Sequence, residues 1–214
     1  MHVRYLLHAC CGPCSLEPVR IYGQEGASFA IYYDNPNIHP VTEYARRLDA
    51  ITSYVAEPNG IELIEGPYDP DTWEEVAGIY GTNRAERCRA CYRMRFARLA
   101  AVAKERGFDA IGTTLTISPY QYTNVIIEEL ERAAAAAGLS CDARDWSNHY
   151  AQATKRSREL GMYRQNYCGC RFSIAEAQKE RSEHAKTRAK EKLIKQLALG
   201  AAAAEGVVNQ VSQL

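Results

Sequence analysis

The chain has 214 residues, with 26 Lys or Arg balanced by 26 Asp or Glu. That length suits one domain with a proper core, and the neutral net charge excludes a binder that holds nucleic acid through a uniformly basic field. No apolar run is long enough to span a membrane and no secretory pattern is visible, so a cytoplasmic protein is expected. In a reducing compartment, eight cysteines point to metal or redox work rather than a disulfide framework.

The short run Tyr5-Leu6-Leu7 reads as a buried strand that leads into Cys10-Cys11-Gly12-Pro13-Cys14. Ser15 is expected to cap the helix that follows, with Pro18 in its first turn. Three thiols then lie at the carboxyl end of a first strand, where open α/β sheets place ligands. They also lie beside a helix N-terminus, whose N–H groups favour thiolate over thiol. Phe29-Ala30-Ile31-Tyr32-Tyr33 reads as a second strand. The rigid polar loop Asp34-Asn35-Pro36-Asn37-Ile38-His39-Pro40 follows it and offers Asn35, Asn37 and His39 to a ligand. Tyr44, Leu48, Ile51 and Val55 form the apolar stripe of a helix closed by Pro58-Asn59-Gly60. A third strand is expected from Ile61 to Ile64, then the loop Tyr68-Asp69-Pro70-Asp71 and a short helix with Trp73 and Val76.

Arg84 to Arg106 is the strongest helix in the chain. Cys88 and Cys91 share one face of it, three residues apart, with Arg84, Arg95 and Val102 close to that face, while Arg89 and Arg93 point away. Ala110 to Leu115 reads as a fourth strand, with Ser118 and Tyr120 in the loop after it. A helix then runs from Asn124 to Gly138 and an edge strand from Leu139 to Ala143, where Cys141 is a small buried hydrophobe. Tyr150 to Leu160 is a basic helix carrying Lys155, Arg156 and Arg158. The segment after Gly161 ends in Cys168-Gly169-Cys170, and a last long helix starts near Ser173. From Lys179 onward, seven Lys or Arg stand against four Glu. Residues 1–178 are therefore expected to form the working domain, and 179–214 a charged helical extension, partly frayed. Strands alternating with helices indicate an α/β fold, a three-layer α/β/α sandwich with a mostly parallel sheet.

Seven of the eight cysteines fall into the groups CCGPC, CxxC and CxC. Four thiolates from two such groups make a ligand set for zinc or for an iron–sulfur cluster, and spacing alone does not separate these metals. The chemistry leaves three readings open: an iron–sulfur protein, a zinc-stabilised RNA-binding module, and a metal-free thiol–disulfide oxidoreductase.

Five motifs in order, LLHACCGPC, NPNIHP, RCRACYRMR, TTLTISPY and YRQNYCGCRFS, resemble those of the QueH-type epoxyqueuosine reductases, from about Leu6 to Ser173. The resemblance implies an adenine-nucleotide α-hydrolase-like sandwich, but the ATP-binding SGGxDS loop is replaced by CCGPC, so no ATP is expected. The implied reaction reduces epoxyqueuosine to queuosine at the wobble base of tRNA, drawing on an unidentified electron donor. By resemblance, Cys10, Cys11, Cys88 and Cys91 match 4Fe-4S ligands, and Cys168 and Cys170 match a redox-active pair. Cys14 is left over and could hold an additional iron with Asp69. His8, His39 and Tyr120 are candidate proton donors to the epoxide oxygen. Local RNA contacts are expected at Arg84, Arg95, Lys155, Arg156 and Arg158.

Overall fold

The computed structural model describes residues 3–211, with the side chains of residues 184, 193 and 195–211 outside the description. Strand β1 (Arg4–His8) leads to helix α1 (Gly12–Gln24), then to β2 (Ser28–Tyr33), α2 (Val41–Ile51), β3 (Leu63–Glu65) and α3 (Pro70–Val76). The second half runs α4 (Arg84–Glu105), β4 (Ala110–Thr113), α5 (Thr123–Ala137), β5 (Ser140–Asp142), α6 (Tyr150–Glu159) and α7 (Arg171–Val211). All five strands pair in parallel, in the order β3-β2-β1-β4-β5. Parallel pairing needs a crossover between neighbours, and the intervening helices supply it.

Alternation along the central strands buries both faces of the sheet. Leu6, Ala30 and Tyr32 pack with Tyr92, Phe96 and Leu99 of α4 and Ile126 and Leu130 of α5. On the other face, Ile31 and Tyr33 pack with Leu16 and Val19 of α1 and Tyr44 and Ile51 of α2, while Leu7 meets Tyr22, Trp146 and Ala153. The result is helices, sheet and helices in three layers, as the alternation of elements predicts.

One compact unit ends at Phe172 and a second begins at Ser173. The second is helical through Val211, and residues 212–214, the end of the extension expected to be partly frayed, lie outside those described. No described helix is long and apolar enough to cross a membrane.

Local details differ from expectation at α1. The helix starts at Gly12, four residues sooner than a Ser15 cap would place its first turn, and its cap position, Cys11, makes no side-chain capping bond. Ser15 Oγ instead donates back to the Cys11 carbonyl at 2.9 Å. Pro13 takes the first-turn position, and Pro18 lies inside the helix. A Cβ on Gly12 would come within 2.8 Å of Met162 Sδ and 3.1 Å of the Ala50 carbonyl oxygen. Only glycine lets the thiol loop approach α2 so closely.

Helices α4 and α5 are clamped by one acid. The Glu129 carboxylate is buried and accepts from Arg93 Nε at 2.9 Å and Arg89 Nη1 at 2.9 Å, so both arginines do point away from the cysteine face. Glu129→Gln is expected to lower stability by about 1–2 kcal/mol, because it discharges a buried acceptor facing cations. Glu128→Gln, at a half-exposed position on the same helix, should stay within about 0.5 kcal/mol of wild type. Urea unfolding of the two variants side by side checks the difference.

Candidate active site

The strand order reverses direction beside β1: the chain steps from β1 to β2 and β3 on one side, then returns to place β4 on the other. A crevice opens at the carboxyl ends of strands at such a switch point. The thiol loop leaves β1 there. Among the described residues, the sulfur atoms of Cys10, Cys11 and Cys14 form one group, all within 4.8 Å of one another.

These three thiols share protons. Burial opposes ionisation at Cys11, yet hydrogen bonds from Cys10 and Cys14 and the charge of Arg47 hold its thiol well below the usual range. The hydrogen bond to Cys11 raises Cys10 to about 11, and Cys14 is raised by its hydrogen bonds to the same partners. Gln165 Nε2 also donates to Cys11 Sγ, at 2.8 Å. Soft sulfur donors gathered around one concentrated negative charge are suited to a thiophilic metal, whose binding releases the remaining protons.

Helix α4 brings the second pair. Burial pushes the Cys88 thiol up to about 12, with the charges of Cys168 and Cys91 adding to the effect. Cys91 is raised by burial too, opposed by Arg95, whose Nη1 lies 3.9 Å from the Cys91 sulfur. Cys91 packs in one apolar cluster with Trp73, Ala77 and Cys170. The indole N–H of Trp73 has no partner of its own and is close enough to Cys91 to favour its thiolate.

The third group, Cys168-Gly169-Cys170, is held by its backbone. Arg47 Nη1 donates to the Cys168 carbonyl at 2.8 Å and Nη2 to the Tyr167 carbonyl at 3.2 Å, while the His39 N–H donates to the Gly169 carbonyl at 2.8 Å. Gly169 sits at φ 137°, and a Cβ there would stand 2.9 Å from Ile38 Cγ1. Neither Cys168 nor Cys170 is in a disulfide.

Arg95 links Cys91 to the end of β1 and to the loop after β2. It is 1% exposed. Its Nη2 donates to Asn35 Oδ1 at 2.5 Å and contacts His8 Nε2 at 3.1 Å, and its Nε reaches the Asp34 carbonyl at 3.4 Å. Burial and the Arg95 charge lower His8 to about 3. The lowered value favours the neutral ring, and His8 Nε2 lies within reach of both Arg95 Nη2 and the Asp34 carbonyl, at 3.2 Å from the latter.

Several candidate contacts change role. Asn35 and Asn37 are buried rather than displayed on a polar loop; Asn35 Nδ2 donates to the Ala9 carbonyl at 2.9 Å. Asn37 Oδ1 and His39 Nε2 are buried without a partner. Enclosure takes Arg95 out of the RNA-facing set. Arg156 donates to the buried Glu17 at 2.9 Å, whereas Lys155 is 70% exposed and Arg158 is exposed. Asp69 caps α3 through Thr72 N and accepts from Arg98 Nη2 at 3.1 Å, with one further acceptor site left on each oxygen. Arg47 and Gln165 were not singled out by sequence. Arg47 lies among the polar positions of α2, where nothing marks it as buried, and Gln165 had only its place within the YRQNYCGC motif as a signal.

Thiols gathered beside buried cations at the switch point of a parallel sheet define an α/β protein with a cysteine-rich centre suited to metal or redox chemistry. The comparisons make this specific. The profile of "Epoxyqueuosine reductase QueH" matches residues 5–176. An epoxyqueuosine reductase QueH of Dehalococcoides mccartyi is 33% identical over 81% of this chain and 93% of its own length. Relatives of the same name from Haemophilus influenzae, 34% identical over 85% of this chain and 76% of theirs, and from Thermotoga maritima, 30% identical over 86% and 96%, agree. The chain belongs to the QueH epoxyqueuosine reductase family, oxidoreductases of queuosine biosynthesis.

Two outcomes test this geometry. Gly169→Ala places a side chain at a positive φ against Ile38 and is expected to lower stability by about 1–3 kcal/mol, read as a fall in urea midpoint. Asp34 is fully buried, and desolvation, only partly offset by Arg98, raises it to about 6. The folded state therefore keeps a proton that the unfolded chain, with its ordinary carboxyl at 3.8, gives up. Between those values stability falls as pH rises, by about 1–3 kcal/mol in all. Asp34→Asn should flatten the change in urea midpoint between about pH 4 and about pH 7.

Proposed function

We propose that this chain reduces epoxyqueuosine to queuosine at the wobble position of tRNA, in the cytoplasm. We assign Cys10, Cys11, Cys88 and Cys91 to a 4Fe-4S cluster and Cys168 with Cys170 to a redox-active pair. The observation that carries the reading is the meeting of thiol-bearing segments around two buried guanidinium groups, Arg95 and Arg47, in a chain of this family. The donor set fits the cofactor. Sulfur ligands are soft, the arginines offset the negative charge of a tetrathiolate cluster, and Gln165 and Trp73 offer N–H groups to sulfur. When bound, such a cluster passes electrons one at a time.

The dithiol balances the chemistry. Conversion of the epoxide to an alkene and water consumes two electrons and two protons. Oxidation of Cys168 and Cys170 to a disulfide releases two of each, and an external donor then returns the pair to dithiol. Arg47 fixes the Cys168 carbonyl, so it sets where this sulfur sits. His39, with a free buried Nε2, is the candidate proton donor nearest the pair in the chain's hydrogen bonding. Phosphates of the anticodon loop meet the exposed Lys155 and Arg158 of α6.

The close Cys10–Cys11–Cys14 group favours a second arrangement, in which Cys14 is a metal ligand, either in place of one α4 cysteine or for an additional iron. With Asp69 engaged by Thr72 and Arg98, Cys14 is the chain's own candidate for that metal.

Cys88→Ser should lose most of the broad visible absorption and most of the iron in anaerobically purified protein. Full iron in that variant, together with iron loss in Cys14→Ser, would favour the second arrangement. Cys168→Ser and Cys170→Ser should keep colour and iron yet fail at multiple-turnover reduction of the epoxide. Iron loss in step with activity would make these two cysteines ligands instead.

A further inference from the structure

The loop that follows β4 exposes aromatic rings in an otherwise pinned backbone. Tyr120 is 57% exposed and Tyr122 39%. Exposed rings in a turn are commonly mobile, but here the backbone between them is fixed from several sides. Gln121 N donates to the Ser118 carbonyl at 3.1 Å, Tyr92 Oη donates to Gln121 Oε1 at 2.6 Å, and Arg84 Nη2 donates to the Tyr120 carbonyl at 3.2 Å. The guanidinium of Arg84 also stands 5.6 Å over the Tyr122 ring. On the other side, the Tyr120 ring meets Tyr150 edge-on at 6.3 Å. Tyr150 packs against the same apolar cluster as Cys14, so the aromatic group adjoins the thiol loop.

Rigid, solvent-facing rings interleaved with a guanidinium have the chemistry that unpaired bases require. Each base has a π-face that stacks on an aromatic ring or a guanidinium plane, and a preformed platform loses little entropy on binding.

We propose that Tyr120, Tyr122 and Arg84 form a stacking platform for the unpaired bases that flank the target nucleotide, holding the RNA loop open beside the thiols. This rests on the tRNA reading and adds to it the residues that grip the loop. Phosphate attraction then comes from Lys155 and Arg158, while the platform supplies a contribution that depends little on salt.

The test measures affinity of the purified, iron-loaded protein for an anticodon stem-loop RNA across a salt series. A control RNA has the same stem but lacks bases at the loop positions flanking the wobble nucleotide. Tyr120→Ala and Tyr122→Ala should each weaken binding of the intact stem-loop by about tenfold, with the salt slope unchanged and iron content retained. Tyr122→Phe should restore wild-type affinity. The control RNA should bind wild type about as weakly as the intact RNA binds the alanine variants. Lys155→Ala with Arg158→Ala should instead flatten the salt slope. Alanine variants that keep wild-type affinity for the intact RNA, while wild type binds it, overturn the platform and leave the tRNA reading standing. No binding of either RNA by wild type overturns the tRNA reading and the platform together.

Discussion

Arg95 carries a full positive charge at a position that water scarcely reaches. Removing such a charge from water costs several kcal/mol unless the surroundings replace its hydration. Here the replacement comes from the Asn35 amide oxygen, the Asp34 carbonyl, the neutral His8 ring and the Cys91 sulfur. These groups belong to the end of β1, the loop after β2 and helix α4. A charge that needs all of them fixes all of them in space. The polar loop after β2 is buried for that reason, and its asparagine acts as a solvating group for the cation.

Arg47 does the corresponding task on the other side of the sheet. It pairs with Glu43 at 2.7 Å, Glu43 accepts from Tyr163 at 2.6 Å, and the remaining N–H groups of the guanidinium hold the backbone just before Gly169. The two arginines approach the thiols from opposite layers. A bidentate fork fits a pair of neighbouring carbonyls in a way that a lysine would not. The two arginine charges oppose the effect of burial at two thiols, Arg47 at Cys11 and Arg95 at Cys91, and a lower cost of thiolate is what metal ligation requires.

Net neutrality has a structural counterpart. Much of the arginine is spent inside the molecule: Arg89 and Arg93 on Glu129, Arg98 between Asp34 and Asp69, Arg156 on Glu17. Tyrosine abundance divides along the same line. Tyr22, Tyr32, Tyr33 and Tyr44 are core residues, whereas Tyr120 and Tyr122 face solvent.

The sequence by itself determined the alternation of elements, the parallel sandwich, the position of the thiol loop after the first strand and the shared face of Cys88 and Cys91. Each is legible because it depends on local periodicity or on residues adjacent in the chain. The family motifs, too, are strings of neighbours. Strand ends shifted by a few residues, since β3 runs Leu63–Glu65 and β4 stops at Thr113, and boundaries are set by partners across the sheet. Only the tertiary structure decided that Arg95 is enclosed rather than RNA-facing, that Asp69 is committed to Arg98, and that Cys14 lies within 4.8 Å of Cys10 and Cys11. It alone brought Arg47 to the Cys168 carbonyl, 121 positions away. A charged residue on a helix reads as solvated until the chain supplies distant groups that replace water, and that supply is a property of packing, which no window of sequence contains.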